Sequence, residues 1–272
     1  MVFSELELLA SYRFESTKPV LIDVGAHHGS FSRVFAEKGW RVIAFEPEPR
    51  NCAAYERNLA GFAMVSCIAK AVSDVTRSKV PFYVSGEHYG IHSLKPFHET
   101  HRLAHEVDTV RLNEILHELQ VPEVTLLKID TEGADFLALK GFDFEIYHPE
   151  LVIIEFMDDR SMPYFGYTHH DVVAYMEERG YMSFVSEWAP IKEYGREGIE
   201  GESHTWLRCM PYPLDHDDPA WGNLIFIRHR ERDRFETTLE SYLKKKSRTI
   251  RLHKIIAKIP GAKRLYSIFT GW

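Results

Sequence analysis

Two acids stand two residues apart at Asp130-Thr131-Glu132, directly after the apolar run at residues 124–129. A third, Glu155, closes the next apolar run, at 151–155. A strand that ends in a carboxylate presents that group at the rim of a sheet, where open α/β sheets bind their ligands. Carboxylates in such a place can take a proton from a hydroxyl. They can also hold a hard divalent cation through oxygen, and Asp130 with Glu155 is the pair expected for magnesium. The competing reading is structural: Asp130 or Thr131 would cap the helix that follows by accepting from its free N–H groups. His92 is a further candidate base, because an imidazole titrates near neutral pH. The candidate catalytic residues are therefore Asp130, Glu132 and His92. His98, His101 and His105 recur at three- and four-residue spacing and predict one polar face of a helix. A solvated face explains them better than a metal site does, and the same holds for His169-His170.

The second group of chemically suggestive residues lies near the start of the chain. Val20-Leu21-Ile22-Asp23-Val24-Gly25-Ala26-His27-His28-Gly29 reads as a buried strand running into a glycine turn, with a helix starting just after Gly29. Gly25 lets a ligand approach the backbone, and the helix start offers unpaired N–H groups. Glu46 ends the second apolar run about twenty residues on, where an acid can accept the hydroxyls of a ribose. Pro47 fixes that strand end, since proline cannot continue a ladder. A pyrophosphate-binding turn has the spacing G-x-G-x-x-G; here it is Gly25-x-x-x-Gly29, with His27 where a second close glycine would stand. Asp23 would repel phosphates but suits the ammonium and sulfonium of S-adenosylmethionine. The turn therefore points to the methyl donor over a dinucleotide.

These groups need a sheet to hold them. Short apolar runs alternate with helical patterns: strands at 20–24, 41–45, 63–69, 124–129, 151–155, 181–185 and 223–228, and helices at about 30–38, 49–60, 134–140 and 169–179. Such alternation predicts an α/β fold with a mostly parallel, seven-stranded sheet and helices on both faces. Two regions interrupt the alternation: residues 85–107, with Gly86, Gly90, Pro96 and five histidines, and residues 186–222, rich in Glu, Pro, Gly and Trp, which predict no regular element. Long loops of this kind are often functional, and both are candidate walls of an acceptor site. Cys52, Cys67 and Cys209 show no CxxC spacing, which argues against a disulfide framework or structural zinc.

Taken together, these residues resemble the FkbM family of methyltransferases. The resemblance spans about residues 20–156. It rests on Ile22-Asp23-Val24-Gly25-Ala26-His27-His28-Gly29, Ala44-Phe45-Glu46-Pro47, Ala71-Val72-Ser73-Asp74 and Gly90-Ile91-His92-Ser93-Leu94. Its most specific part is Leu126-Leu127-Lys128-Ile129-Asp130-Thr131-Glu132-Gly133-Ala134-Asp135, continued by Leu139-Lys140-Gly141. His27 stands where the family commonly has Asn, and Asn113 where Asp is usual. The resemblance implies a Rossmann-like class I methyltransferase fold, S-adenosylmethionine as donor, and O-methylation of a sugar, glycoconjugate or secondary metabolite. It implies donor contacts at Asp23, Gly25, His27, Gly29, Glu46, Pro47, Ala71 and Val72.

Charge separates the chain into two expected parts, residues 1–235 as the methyltransferase domain and 236–272 as a tail. The formal net charge is −7, yet residues 241–272 hold nine Lys/Arg and no acid, leaving −16 on the rest. An acidic body is a poor partner for nucleic acid. The chain also lacks the Asp/Asn-Pro-Pro-aromatic turn of many nucleobase methylases; the expected partner is a small-molecule or glycan acceptor. Leu252, Ile255, Ile256 and Ile259 form an apolar stripe among basic residues, which suits peripheral contact with an anionic membrane face or docking on protein. No signal-like or membrane-spanning apolar run is found, so a cytoplasmic location is expected. A nicotinamide-dependent oxidoreductase and a non-catalytic nucleotide-binding scaffold are the alternative readings.

Overall fold

The computed structural model describes residues 3–88, 90–191, 204–214 and 219–256, by backbone alone from 249 on. In chain order the first elements are α1 (Glu5–Ser11), β1 (Val20–Val24), α2 (Ser30–Ala36), β2 (Arg41–Phe45), α3 (Pro49–Leu59) and β3 (Val65–Ile68). Next come β4 (Ala71–Val72), β5 (Arg77–Ser85), β6 (His101–Val110), α4 (Leu112–Glu118), β7 (Leu126–Ile129), α5 (Asp135–Lys140) and β8 (Leu151–Phe156). The last are α6 (Asp158–Phe165), α7 (His169–Glu177), β9 (Tyr181–Trp188), β10 (Trp206–Pro211), β11 (Trp221–Arg228) and α8 (Arg232–Ile256). The chain forms two compact units, Phe14–Glu231 and the two terminal segments joined. In the terminal unit α1 packs on α8, with Phe3 edge-on to Tyr242 at 5.3 Å and Tyr12 against Phe235 at 6.2 Å.

The main sheet of the larger unit has the order β3-β2-β1-β7-β8-β11-β9-β10. Strands β3, β2, β1, β7 and β8 are all parallel, β11 is antiparallel to both β8 and β9, and β10 is antiparallel to β9. Every residue of β1 and β7 is buried, as expected of strands covered on both faces. The order reverses between β1 and β7: the chain winds outward through α2 and α3 on one side and through α5 and α7 on the other. Right-handed crossovers put those two helix pairs on opposite faces. The fold is thus the Rossmann-like class I methyltransferase fold, and β1/β7 is the switch point at which such sheets bind ligands.

The sheet has eight strands where the sequence predicts seven. The additional strand, β10, lies in the stretch expected to be irregular. It is an edge strand with no fully buried residue, so it carries no apolar run, and Pro211 is tolerated at its end because an edge leaves backbone unpaired. Residues 85–107 also differ from expectation. Strand β6 of a separate sheet, order β4-β6-β5, takes up the end of that region, and His101 and His105 lie on it, not on a helix. A four-residue spacing is even, so it is compatible with the two-residue period of a strand as well as with a helical turn.

Candidate active site

Two turns meet at the switch point. Gly25, at φ +73°, follows β1; its N–H and that of Ala26 donate to Phe45 O at 2.9 and 3.1 Å, which ties this turn to the end of β2. A Cβ on Gly25 would lie 1.7 Å from the carbonyl oxygen of Asp130, so only glycine lets the glycine turn and the acid turn touch. Gly29, at φ +84°, is the N-cap of α2, and a Cβ there would strike Leu59 and Tyr55 of α3.

Glu46 is 5% exposed at the end of β2. One oxygen accepts from His27 N–H at 2.8 Å and the other from Glu48 N–H at 2.9 Å. Burial raises its pKa to about 6, against the opposing pull of those backbone donors. Pro47 follows it, half-buried, and Glu48 caps α3 by accepting from Asn51 N–H at 2.9 Å. His27 sits in the left-handed region at φ +48° and stacks on His28 at 3.8 Å. Burial, then the neighbouring His28 and His92, lower its pKa to about 4, so it is neutral at physiological pH. His27 and His28 line a cavity of about 150 Å³ with Asn51, Ser85, His88 and His92, which brings His92 to the glycine turn. Ala71 and Val72 are buried and pair with Thr109 and Val110 in the smaller sheet.

Asp23 is wholly buried beneath the turn. Ser32 Oγ donates to its Oδ2 at 2.6 Å, and the ammonium of Lys128 lies 3.2 Å from Oδ1. Lys128, on β7, also donates to Gly25 O at 2.7 Å and stands 3.4 Å from Asp130 Oδ2. Burial alone would depress this ammonium, but Asp23 and Asp130 more than offset it and the pKa ends raised. The side chain of Asp130 is 42% exposed. Helix α5 has Ala134 at its N-cap and no side-chain cap, and the N–H groups of Thr131 and Gly133 are met by Asp135 at 2.7 and 3.0 Å. No side chain takes the predicted capping role: Asp135 braces the turn ahead of the helix, and Asp130 is turned to Lys128 and solvent.

Glu132 lies in the left-handed region at φ +56°. Arg160 of α6, 4% exposed, pairs with both Glu132 and Glu155. Burial raises the pKa of Glu132 to about 7 and that of Glu155 well above the usual range, with Arg160 opposing in each case. Oxygens of Asp130, Glu132 and Glu155 lie within 4.8 Å of one another, a spacing a cation could use, although Arg160 already meets both glutamates. Sequence reasoning missed Lys128 and Arg160. For Lys128 the signal existed, because a lysine inside a buried apolar strand requires a partner. Arg160 gave none.

A glycine turn after β1, an acid after β2 and an acid turn after β7 are grouped at the switch point of a class I methyltransferase fold. The family model described as the Methyltransferase FkbM domain matches residues 23–182, and the chain belongs to that family. A curated relative, Methyltransferase 1 of Beauveria bassiana, is 25% identical over 198 residues, covering 62% of this chain and 76% of the relative. Among solved structures, the chain is similar to a precorrin-6y C5,15-methyltransferase from Geobacter metallireducens, at 14% identity and TM-score 0.42, covering 82% and 87% of the two chains. An rRNA methylase from Streptococcus thermophilus gives 10% identity and TM-score 0.43, covering 84% and 98%. Among the described residues no helix is long and apolar enough to cross a membrane.

Proposed function

We propose that this methyltransferase transfers the methyl group of S-adenosylmethionine to a hydroxyl of a sugar, glycoconjugate or secondary metabolite. The observation that carries the reading is the contact of the two turns: the backbone of Gly25 abuts Asp130, so donor-binding and proton-accepting groups share one cleft. Glu46 would accept the ribose hydroxyls, Gly25, His27 and Gly29 would border the donor's methionine end, and Ala71 and Val72 would back its base. Asp23 would act through Lys128, to which its charge is committed.

The donor supplies an electrophilic methyl group on a sulfonium. The protein must orient the hydroxyl and accept its proton. Asp130 and Glu132 are the groups for this. A carboxylate with a pKa of about 7 is suited to proton transfer at neutral pH, and Glu132 has one. His92, beside His27 in the cavity, is the second candidate base. Magnesium held by Asp130 and Glu155 is a second reading, favoured by the convergence of their oxygens with Glu132. The acidic body supports a small-molecule or glycan acceptor over nucleic acid.

Calorimetry with S-adenosylmethionine, S-adenosylhomocysteine and NAD, followed by a methyl-release assay on hydroxylated acceptors with and without chelator, tests the reading. Binding of the first two ligands and not NAD is expected. Binding of NAD alone would replace the reading with the oxidoreductase. Donor binding without transfer to any acceptor would favour the scaffold. Activity lost to chelator and restored by magnesium would establish the metal.

A further inference from the structure

The acid turn carries a residue in a conformation that side chains rarely adopt. Glu132, at φ +56°, is held there on every side. Ser93 Oγ donates to its carbonyl at 2.9 Å, Tyr167 donates to Gly133 O at 2.8 Å, and Asp135 accepts from Thr131 N and Gly133 N. Backbone strain of this kind persists only where the surroundings over-determine it, and it concentrates at functional sites. All those contacts grip the backbone or flanking residues. The contact described for the carboxylate of Glu132 is with Arg160, whose other guanidinium nitrogen holds Glu155. Arg160 is 4% exposed and lies over the ring of Phe97, 5.4 Å from its centroid. Its planar fork suits two carboxylates at once, which a lysine ammonium on a flexible stem does not. Without it two half-buried carboxylates would face each other and separate.

We propose that Arg160 is the positioning residue of this site: its guanidinium fork fixes the carboxylate of Glu132 at the cleft, and it acts through Glu132, not on the substrate. The inference rests on the reading of Glu132 as a group that acts on the acceptor. The test is R160K, which keeps a buried cation, examined by crystal structure, by S-adenosylhomocysteine affinity and by kcat on any acceptor the wild type methylates. The expected result is a folded protein in which the Glu132 carboxylate has left its place. Nucleoside affinity should stay within about threefold, while kcat falls at least about tenfold. E155Q is the second variant, and Glu132 should stay in place on Arg160 there. A Glu132 carboxylate unmoved in R160K, or displaced in E155Q as it is in R160K, overturns the proposal. So does an unchanged kcat in R160K. A merely structural role would lower Tm without moving that carboxylate. Should the wild type bind no donor and transfer no methyl group, the functional reading fails, and the two crystal structures still decide whether Arg160 places Glu132.

Discussion

If Glu46 takes the ribose hydroxyls as proposed, its pKa, raised to about 6, makes donor binding depend on pH in a way that can be worked out in advance. Hydroxyls of a ribose donate to the ionised carboxylate, so binding selects the charged form. With a free-state pKa of about 6, the carboxylate is mostly protonated at pH 5 and mostly ionised at pH 7. S-adenosylmethionine should therefore bind about tenfold more weakly at pH 5 than at pH 7, one pKa unit being a factor of ten. E46Q removes the charge. Charge-assisted hydrogen bonds contribute about 1.5–3 kcal/mol, so the variant should lose roughly tenfold to a hundredfold in affinity at pH 7. It should also lose most of the pH dependence between 5 and 7. Calorimetric titrations at several pH values provide the measurement. Gln is preferable to Ala because its carbonyl can still accept from one of the two N–H groups that Glu46 meets, whereas Ala would orphan both. A folded E46Q protein with wild-type affinity and an unchanged pH profile would remove Glu46 from the donor site. The folding linkage has the opposite sign. The folded-state pKa lies above the ordinary 4.5, so the folded protein binds more protons between pH 4.5 and 6, and this group's contribution falls by about 2 kcal/mol as pH rises through that window.

Asp130→Asn should lower turnover far more than donor affinity, as read from kcat and from the Kd of S-adenosylhomocysteine; full activity in the variant would exclude Asp130 from the chemistry. Lys128→Met should destabilise the fold by about 3–5 kcal/mol in chemical denaturation, because it leaves the fully buried Asp23 without its cation. The double change Asp23→Asn with Lys128→Met should recover part of that loss, and a loss no smaller than that of the single variant would show that the pair is not what Lys128 serves. The basic segment at 241–272 should carry the full chain onto anionic vesicles at low salt and release it at high salt, whereas a chain ending near Glu240 should not float; equal behaviour of the two chains would refute the membrane contact. The side chains of Leu252, Ile255 and Ile256, and all of Ile259, lie outside the described residues, so this last expectation stands on the sequence pattern.

What could be read from the sequence follows from where each strand sits. β1, β7 and β8 are covered on both faces, so each is a run of apolar residues that needs no periodicity to find. β5, β6 and β10 are partly exposed, and their burial alternates irregularly because register shifts interrupt both antiparallel pairings. The histidines on β6 therefore passed for a helix face. At the site, side chains that follow a strand end in the chain were legible: Gly25, Glu46, Asp130 and Glu132 all lie on turns that the strand pattern locates. Partners delivered from far along the chain were not. Arg160 reaches Glu132 across 28 positions and from a short helix with no pattern of its own.

The same two missed cations bear on which donor the site can take. Asp23, Asp130, Glu132, Asp135 and Glu155 gather around the turns, and the cations paired with them are Lys128 and Arg160. Acids outnumber bases by three; burial first, and then the neighbouring acids, raise the pKa values of Glu132, Asp135 and Glu155 against the pull of Arg160. A pyrophosphate brought to such a place would add like charge; each unit-charge pair at 4 Å costs about 1 kcal/mol in water and about 4 kcal/mol at the effective dielectric near a protein surface. A donor carrying a sulfonium and an ammonium meets attraction instead. Asp23, which the sequence offers as the donor's counter-charge, is sealed by the fold under Lys128. The preference for a cationic donor rests after that change on Asp130, the most exposed acid of the cluster.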